Sequence, residues 1–76
     1  MDDLRERIRS GIENGRVPSV DCLVTWFGPG RGEVCVVCSS RILGSELAIE
    51  CDLRTGNTAW FHARCYDLWL SVRGAC

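Results

Sequence analysis

The chain has 76 residues, a formal net charge of −1 and 46% hydrophobic residues, which together predict one soluble domain spanning residues 1–76. No apolar run approaches the roughly 20 residues of a membrane span, and the charge lacks the basic excess typical of nucleic-acid-binding domains. A domain of this size buries only about 60% of its unfolded surface, so its core is marginal without a further cross-link.

The first predicted element is an amphipathic helix over residues 2–14. Leu4, Ile8 and Ile12 recur every four residues and form a narrow apolar stripe. Gly15 favours a helix end at this point, because glycine readily takes the left-handed capping conformation. The stripe is narrow, so we expect this helix to be stable only through its contacts with the rest of the protein.

A short strand is predicted next, over residues 20–27, which are rich in β-branched and aromatic side chains. The following glycine-rich segment, residues 28–32, favours a flexible connector. An anion-binding nest is the alternative for this segment, although the lysine of a nucleotide-binding P-loop is missing.

The most informative pattern is a paired one: Cys35-x-x-Cys38 is followed by His62-x-x-Cys65, which uses the only histidine of the chain. Two cysteines at this spacing can curl around one ion, and residues three apart in a first helical turn point the same way. Sulfur and imidazole donors favour a tetrahedral Zn²⁺, and four protein donors leave no open position. We therefore predict one structural Zn²⁺ bound by these four residues.

Between the two halves of this pattern lies a predicted β-hairpin. Residues 47–53 alternate apolar and acidic side chains and predict a half-buried strand. Residues 54–57 predict the turn, and residues 58–61 the returning strand.

The last predicted element is a helix over residues 62–73. One face carries Cys65, Leu68, Trp69 and Val72, which we expect to cover the metal site and the hairpin. A second face carries Tyr66 and Leu70. These two residues either pack under the first helix or form an apolar strip for a partner. Trp60 and Trp69 are expected in the core.

Three cysteines remain outside the proposed metal site. Cys51 alternates with apolar residues, and its simplest interpretation is a buried small hydrophobe, with replacement of one of the four metal donors as the alternative. Cys22 has no assigned role, and Cys76 is expected to be exposed. A secreted disulfide scaffold is disfavoured, because the first residues have no apolar leader segment and because a disulfide network does not explain the spacing of the histidine.

A loop with two ligands, a strand hairpin and a helix with two more ligands together resemble the treble-clef arrangement. The chain is similar here to the first half of a LIM domain and to the zinc finger of poly(ADP-ribose) polymerases. The matching residues are Cys35, Cys38, Ile42, Gly44, Ser45, Glu46, Trp60, Phe61, His62 and Cys65. The resemblance implies a small, zinc-stabilised α+β fold: a treble-clef core over residues 34–73, with an added N-terminal helix.

The whole chain also resembles small uncharacterised bacterial proteins with a similar layout. The residues that carry this likeness are Val17-Pro18, the glycines of residues 28–32, the ligand pattern, and Leu68-Trp69. The likeness implies the same fold and the same zinc site, and it brings no known activity.

These features predict a non-enzymatic, cytoplasmic module that binds one Zn²⁺ and a protein partner or a second copy of itself. No small-molecule substrate is indicated, because no free histidine or activated nucleophile remains. Nucleic-acid binding is the alternative, through the arginines that flank the ligand loop and the hairpin: Arg31, Arg41, Arg54 and Arg64. Redox sensing by zinc release on thiol oxidation is a third hypothesis.

Overall fold

The computed structural model describes residues 3–74, which form two helices and one three-stranded antiparallel sheet. The strand order is β1-β2-β3, so β2 lies in the centre. The elements in chain order are α1 (Asp3–Glu13), β1 (Val24–Pro29), β2 (Leu47–Asp52), β3 (Thr58–His62) and α2 (Ala63–Gly74). The expected small α+β architecture is confirmed. Neither helix in this part of the chain is long and apolar enough to cross a bilayer.

Most predicted bounds agree with the structure within one or two residues, and β1 is the main exception. The predicted strand began at residue 20, but β1 begins at Val24 and runs on through Gly28 to Pro29. Pro29 pairs with Leu47 at the strand end. A proline is tolerated there because β1 lies at the edge of the sheet, where every second amide points away from β2 and has no ladder partner.

The first helix packs against the second, and the two side chains on the second face of α2 have different environments. Ile8 is fully buried, while Leu4 and Ile12 pack against the core from its margin. Tyr66 also packs against the core, whereas Leu70 is 38% exposed. Of the two alternatives for this face, the core position therefore holds for Tyr66 and not for Leu70.

An aromatic cluster fixes α2 against the rest of the molecule. The rings of Phe61, Tyr66 and Trp69 pack with centroids 4.9–5.7 Å apart. The indole of Trp69 is buried and donates a hydrogen bond of 2.9 Å to the carbonyl of Pro18. The guanidinium of Arg73 lies 4.6 Å from the Trp69 ring centroid. It also forms an ion pair with Asp21, which lies with Pro18 in the segment between α1 and β1.

Helix α2 packs against β2 and β3, α1 packs against α2, and within residues 3–74 neither helix packs against β1. As a result, apolar side chains at this side of the sheet remain open to solvent. Trp26 and Phe27 are 58% and 65% exposed, and Leu47, opposite the end of β1, is 46% exposed. Of the apolar positions that alternate in the predicted strand 47–53, Ile49 and Cys51 are buried, Leu53 is partly buried and Leu47 is exposed.

The glycine-rich segment is packed, which corrects the expectation of a flexible connector. Gly30 is buried, and its amide donates to the Glu46 carbonyl at 2.9 Å. A Cβ atom at Gly30 would lie 2.3 Å from the carbonyl oxygen of Leu43, so only glycine fits. The Gly32 amide donates to the Ile42 carbonyl at 2.9 Å, which joins the segment to the end of the ligand loop.

The interpretation of Cys51 as a free buried hydrophobe is wrong, because Cys51 forms a disulfide with Cys22. Their Cα atoms lie 5.2 Å apart, and the two residues are 29 positions apart in sequence. The Leu23 amide donates to the Asp52 carbonyl at 2.7 Å, which continues the β1–β2 pairing and places Cys22 beside Cys51. Cys76 lies outside the described residues.

Replacing Cys22 and Cys51 together with alanine should lower the free energy of unfolding by about 3–4 kcal/mol, because the bond closes a loop of 29 residues. Urea unfolding of the double variant and of the oxidised wild-type chain measures this difference. Equal unfolding midpoints and equal slopes would contradict a stabilising disulfide.

Candidate metal centre

The first two candidate donors lie on a tight turn that closes a short two-stranded ladder. Val34 pairs with Arg41 across this ladder. The Cys35 amide donates to the Ser40 carbonyl at 2.9 Å. The turn directs the sulfurs of Cys35 and Cys38 toward the same side, where the second pair of donors lies.

Ser39 explains how the turn reverses direction immediately after Cys38. It has a φ of 65°, the left-handed conformation that glycine adopts without strain, and its amide donates to the Cys35 carbonyl at 2.9 Å. The serine therefore fills a position at which ligand loops of this kind favour glycine, and it does so at a cost in backbone energy.

The other two donors come from the junction of β3 and α2. His62 is the last residue of β3, and Cys65 lies in the first turn of α2, so the predicted placement of both in one helical turn holds only for Cys65. The Val36 amide donates to the Trp60 carbonyl at 2.8 Å and holds the ligand loop against β3. The His62 amide lies 3.5 Å from Cys35 Sγ as a donor to the sulfur.

The four residues predicted from sequence converge on one point. The donor atoms of Cys35, Cys38, His62 and Cys65 all lie within 4.8 Å of one another. Donors bound at 2.0–2.3 Å to a tetrahedral ion would lie about 3.3–3.8 Å apart. Cys38 Sγ and His62 Nδ1 are separated by 3.4 Å, which fits that spacing. The four side chains are thus close enough to hold one metal ion.

The two nitrogens of His62 have separate roles. Nδ1 faces the sulfurs, and Nε2 lies 3.3 Å from the Arg41 carbonyl oxygen and 3.3 Å from Glu46 Oε1. A proton on Nε2 can be donated to these oxygens, which leaves Nδ1 as the lone-pair donor. Glu46 Oε1 is itself held by the Leu43 amide at 2.8 Å, and this hydrogen bond lowers the pKa of Glu46.

The close contact between the Cys35 and Cys65 thiols shifts their pKa values in opposite directions. A hydrogen bond from the Cys65 thiol lowers the pKa of Cys35, and the same contact with Cys35 raises the pKa of Cys65. One thiolate is therefore favoured in the cluster, while each further ionisation meets a like charge at close range. A bound divalent cation offsets this repulsion and lets the remaining thiols ionise, so the donor set fits a metal ion.

Two arginines near the N-terminus hold the ligand loop from outside. Arg7 Nη1 donates to the Cys38 carbonyl at 3.0 Å, and Arg16 Nη1 donates to the Val36 carbonyl at 2.8 Å. Arg16 Nη2 also reaches the Arg7 carbonyl at 3.4 Å. The helix expected as an addition to the core therefore braces the candidate site. Sequence reasoning missed both arginines, since neither lies near a ligand in sequence.

The arginines considered for nucleic-acid binding are all exposed. Arg41 Nη1 donates to the Gly32 carbonyl at 2.7 Å and so helps to close the ligand-loop ladder.

Both tryptophans next to the candidate donors were expected in the core. Trp69 is buried as expected, and Trp60 is only partly buried.

Comparison with known proteins adds no relative to this picture. No protein-family description matches the chain, and neither the curated proteins nor the solved structures contain a significant match. The interpretation of the site therefore rests on its own geometry.

Replacing Ser39 with glycine should stabilise the protein by about 0.5–1 kcal/mol. Glycine adopts the left-handed conformation without strain, which stabilises the folded state. Its greater conformational entropy in the unfolded chain offsets part of this gain. Thermal unfolding measures the change. Ser40→Gly is the matched control, and it should destabilise, since Ser40 has no positive φ. A loss of stability in Ser39→Gly equal to that in Ser40→Gly would contradict this account.

Proposed function

We propose that the chain is a non-enzymatic interaction module built on one structural Zn²⁺, with a treble-clef core over residues 34–73. The observation that carries this proposal is the convergence of three sulfurs and one imidazole nitrogen within 4.8 Å. Such a donor set favours Zn²⁺ over oxygen-seeking ions such as Mg²⁺ or Ca²⁺.

The order of the elements supports the treble-clef assignment. A ligand loop (residues 33–42) comes first, the β2–β3 hairpin follows, and α2 carries the last donor in its first turn. The loop lies against β3 through the Val36 amide, so both halves of the site share one rigid frame.

The donor count supports a structural rather than a catalytic ion. Four protein donors fill a tetrahedron, whereas a catalytic zinc keeps one position for water or substrate. The chain has a single histidine, and it is committed to this site, which leaves no second imidazole for acid–base chemistry.

Exposed apolar side chains support a protein partner. Among the described residues they include Val20, Leu23 and Val24 at or before the start of β1, Trp26 and Phe27 within it, and Leu47 opposite its end. Exposed apolar side chains concentrated at one edge of a sheet are typical of interaction sites. The nucleic-acid alternative has less support, because the net charge is −1 and Arg41 is engaged within its own loop.

The cytoplasmic location stays a prediction, and the disulfide weighs against it. A bond such as Cys22–Cys51 persists mainly in oxidising compartments. A bacterial source is likewise only implied by the resemblance of the sequence pattern.

Metal removal tests the first half of the proposal. Purified protein should contain one zinc per chain, and a strong chelator should abolish its native circular dichroism, because zinc binding contributes on the order of 10 kcal/mol to folding. Cys38→Ser should behave like the chelated protein.

The matched control is the Cys22→Ala/Cys51→Ala double variant, which also removes cysteines but leaves all four donors in place. It should retain one zinc per chain. Metal-free wild-type protein with an intact spectrum would refute the structural-zinc role.

Partner capture tests the second half. Zinc-loaded wild-type protein should retain a specific protein from an extract of its source cells, and Phe27→Thr should retain much less, because Phe27 is 65% exposed and contributes to the apolar surface. Ser10→Ala, an exposed change on α1, is the control. Equal retention by Phe27→Thr and wild type would place the interaction elsewhere or refute it.

A further inference from the structure

A row of three side chains crosses the sheet from edge to edge. The register pairs Trp26 of β1 with Glu50 of β2, and Glu50 with Trp60 of β3. Directly paired residues project from the same face of a sheet, so two indoles flank one carboxylate. All three residues line a cavity of about 180 Å³.

Small residues keep the floor of this cavity open. Gly28 and Ala48 form the neighbouring register pair and also line the cavity. A Cβ atom built at Gly28 would have no described atom within 4 Å beyond its chain neighbours. The space beside the carboxylate is therefore accessible to a ligand group.

The outer wall of the cavity is held in place. Trp26 Nε1 donates to Asp52 Oδ2 at 3.1 Å, and Asp52 Oδ1 accepts a hydrogen bond from Thr58 Oγ1 at 3.2 Å. An indole that is 58% exposed is thus oriented by a hydrogen-bond chain that reaches β3. An aromatic wall fixed before binding reduces the entropy that a ligand must offset.

The charges around the cavity favour a cation. Two carboxylates, Glu33 and Glu50, line it together with one guanidinium, Arg31. Among residues 3–74, no ion pair joins Arg31 to either carboxylate; the Arg31 amide alone donates to Glu33 Oε1 at 2.7 Å. Desolvation, followed by the nearby Asp52 charge, raises the pKa of Glu50, a cost that a bound cation would relieve.

We propose that this pocket binds the guanidinium group of an arginine side chain presented by a partner protein, a proposal that rests on the interaction function inferred above. A guanidinium stacks on indole faces and forms two parallel hydrogen bonds to one carboxylate, so it uses both the walls and Glu50. It is also less strongly hydrated than a lysine ammonium. An apolar side chain would leave Glu50 without a partner, and an anion would be repelled.

NMR titration with N-acetyl-arginine methylamide tests this proposal on zinc-loaded protein. The chain has three tryptophans, and each gives one indole N–H signal. The Trp26 and Trp60 signals should move, with a dissociation constant of about 1–10 mM for a single side chain. The Trp69 signal should stay in place, because this indole is buried and bonded to Pro18.

Charge variants predict changes of opposite sign. Glu50→Gln should weaken arginine binding by about tenfold, since it removes a charge-assisted pair. Arg31→Gln should strengthen binding several-fold, because it removes the positive charge that lines the cavity. Trp26→Leu should weaken binding by about fivefold through loss of stacking. Glu13→Gln, an exposed change on α1, is the matched control and should leave binding unchanged.

Several outcomes would overturn the proposal: no movement of the Trp26 and Trp60 signals, equal affinity in Glu50→Gln, or tighter binding of N-acetyl-trimethyllysine methylamide than of the arginine probe. The amide spectrum of each variant verifies its fold. If the arginine probe does not bind while zinc content and partner capture are intact, only the assignment of this pocket is refuted. Arginine binding by zinc-free protein would instead refute the structural role of zinc, because the sheet would then fold without the metal.

Discussion

The structure depends on one constraint: three thiols and one imidazole from two distant stretches of chain meet within 4.8 Å of each other. Such a cluster is unfavourable as bare ionised sulfur, because like charges lie close together in a buried place. Two local features bring the four side chains together. Ser39 adopts the left-handed backbone conformation that the turn requires, and the Val36 amide donates a hydrogen bond that holds the loop against β3.

A disulfide and a candidate metal centre lie at opposite sides of the sheet. The Cys22–Cys51 disulfide fastens the segment before β1 to the central strand. On the other side, the metal donors join the ligand loop to the end of β3 and the start of α2. The disulfide helps to stabilise this small protein, since only about a dozen apolar side chains are buried among the described residues, and a bound metal ion would add to that stability.

The two faces of the sheet have different surroundings. Ile49 and Phe61, paired across β2 and β3, are buried on the face that α2 covers. The opposite face keeps the Trp26–Glu50–Trp60 row accessible beside the ligand loop. The sheet thus presents a polar and aromatic surface beside the ligand loop, which the binding function proposed above would use.

Sequence alone determined the features that local spacing encodes. The four donors follow from two x-x intervals, α1 from its four-residue apolar repeat, and the hairpin from alternation and a glycine-containing turn. Tertiary structure alone decided the features that join distant segments. The alternation around Cys51 predicts burial equally well for a free and a bonded thiol, so its bond to Cys22 depended on the β1–β2 pairing. The same pairing places Trp26 opposite Glu50, because strand register follows from packing of the whole sheet and not from either strand by itself.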